Sequence, residues 1–211
     1  MNTTAEKPVV FEGQSTPWGR ADFARVLAPG IGSVSTPGHG GIKVCGKLNK
    51  LIPDYMRCEG GWYEEDCDWC IPYLVFGVEI AAGTAGDPEY GPHCAAVLAS
   101  EQPKQTLCAW RPDAYAKFFN VPIETLRGKS YIYDNRCFEN EHANDYVAIA
   151  AWGSSHETVP EGFVGVCATL GGKRSNREAE KFSLVPQADY DARTEHGYVM
   201  TGKEIEWKKH A

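Results

Sequence analysis

The sequence predicts an α+β fold in which strands from both ends of the chain form antiparallel β-sheet and central helices pack on one face of it. Both ends contain short apolar runs separated by glycine and proline turns, whereas the middle carries apolar residues at helical spacing. The chain has 211 residues, 43% of them hydrophobic, which is enough for a core without disulfide bonds. We therefore expect a loose leader over residues 1–14 and a single domain over residues 15–211.

The first strands are predicted around a hairpin and a glycine-rich turn. Pro29-Gly30 is a strong turn dipeptide between two apolar stretches, so it predicts the hairpin. A further short strand, Gly41 to Val44, follows the segment Ser35 to Gly41. His39 is therefore expected in a turn at one end of a small antiparallel meander.

A strong helical pattern begins at Trp62, directly after Gly60-Gly61. Acidic residues are dense in its first turns, where the positive end of the helix dipole favours them. Pro72 is expected to kink this helix or to end its first part. Three- and four-residue spacing would place Trp62, Glu65, Asp66 and Trp69 on one face, and Glu64 and Asp68 on another. Further helices are predicted over residues 93–101, 112–119 and 125–142.

The last third of the chain predicts a second meander. Tyr146 to Trp152 and Gly162 to Leu170 are apolar runs joined by a polar segment, which indicates two strands. Gly171-Gly172 predicts a tight turn into a third strand that ends at Val185. Residues Gly197 to Met200 are expected to add an edge strand.

Charge and composition narrow the possible partners and the compartment. The net charge of -7 argues against direct nucleic-acid binding, because that binding depends on Lys and Arg displacing counterions. It is compatible with a basic protein partner. No apolar run reaches the ~20 residues of a membrane span, and the polar N-terminus lacks the apolar core of a secretion signal. We therefore expect a cytoplasmic protein with no membrane contact, whose eight cysteines are mostly free thiols.

The candidate catalytic residues are His39, Glu65 and Asp66. A histidine between glycines titrates near neutral pH, and the glycines let a substrate approach closely. Glu65 or Asp66 could orient this histidine or ligate a metal ion. The alternatives are a histidine that hydrogen-bonds within its own turn, and acidic residues that only stabilise a helix start.

Candidate binding residues are aromatic or charged, and their structural alternatives stay open. Tryptophans pack in cores as readily as they form binding surfaces, and a histidine at a helix C-terminus can be a cap. A cationic hairpin, which also contains Arg177 and Lys181, could hold a phosphate or an acidic partner. The candidates are Trp62, Glu64, Asp68, Trp69, His142, Lys173 and Arg174.

No complete catalytic or metal-binding signature is present. Cys67 and Cys70 have C-x-x-C spacing, but a four-ligand zinc site usually needs two such pairs. The H-E-x-x-H, G-x-G-x-x-G and nucleophile-elbow motifs are absent from the sequence. We therefore expect no metal and no cofactor. Whether Cys67 and Cys70 bind zinc in a zinc-stabilised module, and whether the chain is an enzyme, stay open.

Four segments in their order along the chain resemble an uncharacterised domain family of bacterial, plasmid and phage proteins. The resemblance extends from about Thr16 to Tyr198, and its more specific parts are the His-Gly-Gly turn and the Trp-Tyr-Glu-Glu-Asp helix start. Cys70 and a glycine-rich insertion over residues 81–92 depart from the family pattern. The resemblance implies a mobile-element setting and no known activity. The segments are Thr16-Pro17-Trp18-Gly19, Ser35 to Gly41, Trp62 to Trp69 and Ala168 to Gly172.

Two functional hypotheses follow. The first is a phage or mobile-element accessory protein that binds and inhibits a host defence complex through an acidic surface, in the cytoplasm of the host cell. The alternative is a hydrolase or transferase acting on a small or nucleotide-like substrate, with His39 assisted by Glu65 or Asp66. The charge, the incomplete catalytic set and the resemblance favour the first hypothesis, and the oligomeric state stays open.

Overall fold

The computed structural model describes residues 8–176 and 179–208. The chain folds as two compact units, Met1–Ser130 and Tyr131–Ala211. Antiparallel sheets form in both the N-terminal and the C-terminal part of the chain, and helices lie between them in sequence, so the predicted α+β class is confirmed. The prediction that residues 15–211 form one domain stays a prediction. Among the described residues, no helix is both long and apolar enough to span a bilayer.

The first unit contains a four-stranded antiparallel sheet and a separate two-stranded ribbon. The predicted hairpin is present, and Gly30 at its turn has a φ of 82°, a conformation that glycine adopts without strain. The order of strands in the sheet is Phe23–Ala28, Ile31–Ser35, Gly40–Val44 and Trp62–Glu64, so the last of these is an edge strand. The strands are β1 (Ser15–Thr16), β2 (Gly19–Arg20), β3 (Phe23–Ala28), β4 (Ile31–Ser35), β5 (Gly40–Val44) and β6 (Trp62–Glu64).

Helices of the first unit cover the sheet with an apolar core. Leu27, Ile31 and Val44 from the sheet are fully buried in one cluster with Ile71 and Ile80 from the longest helix. Burial of such side chains is the main favourable term in folding. The helices are α1 (Gly46–Asn49), α2 (Cys70–Thr84), α3 (Gly91–Ala99), α4 (Gln102–Trp110) and α5 (Pro112–Phe119), with 3-10 turns at Glu59–Gly61 and Ile123–Leu126.

The predicted helix start at Trp62 is wrong, because helix α2 begins at Cys70. Residues Trp62–Glu64 instead form β6, which pairs with Gly41 to Lys43 of β5. A turn follows, in which Glu64 Oε2 accepts hydrogen bonds from the backbone N–H groups of Asp66 and Cys67 at 2.7 and 3.0 Å. Pro72 lies in the first turn of α2, where a missing N–H costs nothing.

In the N-terminal segment, Val10 anchors the chain to the first unit, whereas Pro8, Phe11 and Glu12 are exposed. Val10 is buried in a small cluster with Ala21 and Val34. A Cβ atom on Gly32 would lie 2.3 Å from Val10, so the glycine lets this segment approach β4. Residues 1–7 of the predicted leader lie outside the described part of the chain.

The second unit contains the other four-stranded antiparallel sheet, in the order Ile205–Glu206, Lys181–Pro186, Phe163–Leu170 and Tyr146–Trp152. Val164, Val166 and Val185 form its core together with Tyr198. The predicted strand over residues 146–152 is confirmed, and the one predicted over residues 162–170 is present over residues 163–170. Val199 adds an antiparallel bridge to Val147. The elements are α6 (Tyr131–Glu141), β7 (Tyr146–Trp152), β8 (Phe163–Leu170), β9 (Lys181–Pro186), α7 (Gln187–Asp191) and β10 (Ile205–Glu206).

Candidate functional site

His39 lies in the tight turn that joins β4 to β5. The Thr36 hydroxyl and the Thr36 backbone N–H both donate to the His39 carbonyl, at 2.8 and 2.7 Å. The His39 backbone N–H donates to the Thr36 hydroxyl at 3.2 Å. These bonds use only the backbone of the histidine, so its exposed imidazole stays available at the end of the sheet.

Strand pairing brings the acidic segment to the same end of the sheet. Glu64 lies opposite Gly41 in the β5–β6 ladder, and the Glu65 backbone N–H donates to the Gly40 carbonyl at 3.2 Å. One nitrogen of His39 and one carboxylate oxygen each of Glu64 and Glu65 lie within 4.8 Å of one another. We call this group the rim triad. His39 and Glu65 are exposed, and Glu64 is half-buried.

Gly40 and the following turn hold the two carboxylates in place. A Cβ atom on Gly40 would lie 2.5 Å from Glu65 Oε2, so the carboxylate rests directly against the bare glycine. The backbone N–H groups of Asp66 and Cys67 fix one oxygen of Glu64. A carboxylate has about four lone-pair positions, so Glu64 can hold this turn and still accept a further ligand.

The rim triad can bind a divalent cation or activate water. One imidazole and two carboxylates are the donors that borderline divalent cations such as Zn²⁺ and Mn²⁺ accept. Across residues 8–176 and 179–208, no other group of three or more histidine, cysteine, aspartate or glutamate side chains brings its ligand atoms this close. The Glu64 hydrogen bonds to backbone would act as the outer shell that orients a ligand.

A pocket of about 370 Å³ opens beside Glu65, which we call the Glu65 pocket. Its volume falls in the range of small-molecule sites. Trp69 and Tyr90 on its wall are half-buried, whereas Tyr73 is buried. The pocket is lined by Ser33, Val34, Gly41, Ile42, Glu65, Trp69, Tyr73, Tyr90, His93, Val97 and Gln102.

Tyr73 forms a rigid part of this wall. Its hydroxyl lies 3.3 Å from the Cys94 sulfur, and its ring packs edge-on against Trp69 with centroids 5.5 Å apart. Burial, reinforced by the hydrogen bond with Cys94, raises the pKa of Tyr73 well above its ordinary value. Tyr73 therefore stays protonated and contributes shape and a neutral hydroxyl to the pocket.

Asp68 belongs to a different cluster. It is buried, and its Oδ1 lies 2.7 Å from Arg111 Nε, while the Cys58 thiol donates to its Oδ2 at 3.4 Å. Burial, followed by the charge of Asp68, raises the pKa of the Cys58 and Cys67 thiols to about 12. The same two causes raise the pKa of Cys70 to about 12, so all three sulfurs are protonated thiols at neutral pH.

The remaining predicted residues of the first unit, Trp62, Trp69 and Asp66, do not share one site. Trp69 lines the Glu65 pocket, whereas Trp62 lines another cavity, of about 510 Å³, together with Trp18 and Glu64. The Lys43 ammonium lies 4.6 Å from the Trp62 ring centroid. Asp66 is exposed and is not part of the rim triad.

Three predicted binding residues belong to the second unit. His142 Nδ1 lies 2.8 Å from Asp145 Oδ2, and its ring packs against Phe138 with centroids 4.6 Å apart. Lys173 and Arg174 are exposed in the turn after β8. Arg177 of the predicted cationic hairpin, and Glu178 beside it, lie outside the described residues.

The sequence did not identify three residues that line the Glu65 pocket. Tyr73, Tyr90 and His93 come from α2, from the residue before α3 and from α3, and no local pattern links them. The only available signal was their residue type, since aromatic side chains commonly line binding pockets. The pocket forms where α2 and α3 pack against each other, and Gly41 and Ile42 of β5 complete its lining from the sheet.

Fold and site together define an α+β protein with a small-molecule-sized pocket and a polar triad at its rim. Residues 12–143, more than half of the chain, match the family model described as "Domain of unknown function (DUF7007)". The chain belongs to this family, and the prediction of an uncharacterised domain family is confirmed at that level. The matched region includes the rim triad and the Glu65 pocket and ends before Ala168 to Gly172. Neither the curated proteins nor the solved structures contain a match to the chain.

Proposed function

We propose that the protein is a hydrolase that activates water at the rim triad and holds a small molecule in the Glu65 pocket. The observation that supports this most is the position of Glu65, whose carboxylate lies within 4.8 Å of ligand atoms of His39 and Glu64 and whose side chain also lines the pocket. A group that can activate water therefore adjoins a cavity that can hold a substrate. Glu64 takes the place that the sequence-based hypothesis gave to Asp66.

His39, Glu64 and Glu65 are the residues that we propose to hold a divalent cation. A bound cation of this kind supplies a water molecule of lowered pKa. Exposure of His39 and Glu65 leaves room for that water and for a substrate. The backbone N–H groups of Asp66 and Cys67 keep Glu64 oriented, while the bare Cα of Gly40 supports Glu65.

The proposed reaction is the hydrolysis of an ester or amide. The oxygen of the activated water bonds to the electrophilic carbon of an ester or amide, and the bond from that carbon to its leaving group breaks. The second oxygen of Glu65 accepts the water proton and passes it to the leaving group. Among the described residues that line the pocket, none is Lys or Arg, which favours an acyl compound over a phosphate ester.

Hydrolysis of p-nitrophenyl acetate by the purified protein tests this proposal. After chelation with EDTA and restoration with Zn²⁺ or Mn²⁺, we expect His39→Ala to lower the metal-dependent rate about a hundredfold, because loss of a metal ligand should cost at least as much as loss of an outer-shell partner. His142→Ala is the control, because it removes a histidine of the second unit. Equal rates for His39→Ala and the unsubstituted protein would exclude the rim triad as the reactive group.

A second candidate function is the binding of a host protein by an acidic surface, with a phage or mobile-element origin. Glu65 and Asp66 are exposed directly after the edge strand β6, which supports an accessible acidic site. Charged residues at a sheet edge also prevent unwanted pairing with strands of other molecules. This role explains the acidic residues without a binding partner. The hypothesis stays a proposal, and charge reversal at Glu65 and Asp66 would test it in a complex with a defence protein.

A further inference from the structure

The lining of the Glu65 pocket combines aromatic rings with a single carboxylate. Trp69 and Tyr90 are half-buried, so part of each side chain remains accessible, whereas Tyr73 behind Trp69 is only 5% exposed. Aromatic faces carry partial negative charge and attract cations held within about 6 Å of the ring centroid. The pocket walls therefore favour a ligand that is both apolar and positively charged.

Glu65 provides the only full negative charge among the described lining residues, and Lys and Arg are absent from that set. One cation contacts the wall residue Tyr90: the Arg25 guanidinium lies 4.8 Å from its ring centroid. Arg25 is already paired with Asp87 at 2.8 Å and with Glu89 at 3.5 Å. These two carboxylates balance its charge, so Arg25 does not neutralise Glu65.

Other ligand classes fit this lining less well. A phosphate or carboxylate ligand would meet the Glu65 charge without a cationic partner, which is unfavourable in a partly enclosed site. A neutral apolar ligand would make no use of Glu65 and would displace water from its carboxylate. A ligand with a positive charge satisfies the carboxylate and the rings at the same time.

We infer that the Glu65 pocket binds a small organic cation of the alkylammonium class, with the charged nitrogen between Glu65 and the Trp69 and Tyr90 side chains. The inference about binding stands independently of catalysis. The inference concerns the protein without a bound divalent cation, because a cation at the rim triad would neutralise the Glu65 carboxylate. Ser33 and Gln102 on the wall supply polar groups for the remainder of the ligand.

Isothermal titration calorimetry with choline and its neutral isostere 3,3-dimethylbutan-1-ol tests the inference. The two compounds have nearly the same shape, so the difference between their affinities measures the contribution of the positive charge. We expect choline to bind the EDTA-treated full chain with a Kd at least about tenfold lower than that of the alcohol, from the combined cation–π and carboxylate contributions. Equal affinities, or the absence of choline binding, would overturn the inference.

Matched variants locate the binding site. Glu65→Gln should remove most of the preference for choline, whereas Asp66→Asn, which neutralises the adjacent exposed acid outside the pocket, should preserve it. An equal loss in both variants would indicate a general charge effect and contradict the site.

Trp69→Leu should weaken choline binding more than alcohol binding, with thermal unfolding as the check on folding. His39→Ala should keep choline binding even if it abolishes hydrolysis, so the two proposals fail separately.

Discussion

Gly40 controls the position of Glu65 because it has no side chain. A Cβ atom at this position would lie 2.5 Å from Glu65 Oε2 and 2.8 Å from the Val34 carbonyl oxygen. Real Cβ atoms essentially never approach other atoms so closely, so the carboxylate has to move and the backbone has to adjust. The φ of Gly40 is not in the positive region, so another residue could adopt its backbone conformation. The site needs glycine here because Glu65 occupies the space that a side chain would fill.

Gly40→Ala should displace Glu65 and lower the free energy of unfolding by about 1–3 kcal/mol, the usual cost of overpacking. Urea unfolding measures the stability, and Mn²⁺ titration measures the effect on the rim triad. Gly38→Ala is the matched control in the same turn, because a Cβ atom there has no neighbour within 4 Å. Unchanged Mn²⁺ binding in Gly40→Ala would contradict the role assigned to the bare glycine.

The sequence predicted part of the rim triad from residue types and turn signals. The Thr36 to Gly40 turn indicated an accessible His39, and the acidic segment indicated a carboxylate that could reach it. The sequence alone could not specify which carboxylates lie next to His39. That depends on the β5–β6 register, which places Glu64 opposite Gly41 and lets the Glu65 N–H bond to Gly40.

The segment from Cys58 to Cys70 explains why the helix start was mispredicted. Its acidic and aromatic residues fit a helix by spacing, but the backbone of Trp62–Glu64 completes the ladder with β5. Glu64 then satisfies backbone N–H groups of the following turn through its side chain. Local spacing carries no information about a partner strand that lies about 20 residues earlier in the chain, so tertiary pairing overrode it.

The same segment predicts a loss of stability at high pH. Burial raises the pKa of Cys58, Cys67 and Cys70 from 9.0 to about 12, and that of Tyr63 from 10.0 to about 12. The unfolded chain therefore releases these protons at lower pH than the folded chain does. The free energy of unfolding should be insensitive to these groups below their unfolded pKa values and should fall as the pH rises from 9 towards 12.

Urea unfolding with a reductant present, across this pH range, measures the effect. The C58S/C67S/C70S variant should lose less stability than the unsubstituted protein over the same interval, because it lacks three of the titrating groups. A free energy of unfolding that rises or stays constant between pH 9 and 12 would contradict the assignment of these thiols as buried and protonated.

Across the chain, the composition and turn signals were sufficient for the fold class and for most strands. The hairpin at Gly30, the strands over residues 146–152 and 163–170 and the helix over residues 112–119 follow from local patterns. The sequence analysis missed helix α4, whose Gln102–Trp110 segment begins with a polar run that contains a proline. The partition of strands into two four-stranded sheets depends on pairing between distant residues, which local patterns do not encode.

The family match places the proposed site in the shared part of the protein. Residues 12–143 contain the rim triad and every lining residue of the Glu65 pocket, whereas Lys173 and Arg174 lie beyond the match. If the site carries the function, cation binding and ligand binding should both depend on residues of the first unit. Substitutions at the exposed Lys173 and Arg174 should leave both unchanged.

Calorimetric titration of the purified, EDTA-treated protein with Mn²⁺ tests the rim triad most directly, because it needs no substrate. We predict one Mn²⁺ per chain, with affinity lowered at least about tenfold by His39→Ala and by Glu65→Gln, as expected for loss of a metal ligand. Asp66→Asn should bind Mn²⁺ as the unsubstituted protein does, because Asp66 is outside the triad. Unchanged affinity in His39→Ala, or an equal loss in Asp66→Asn, would show that His39, Glu64 and Glu65 do not act as one site.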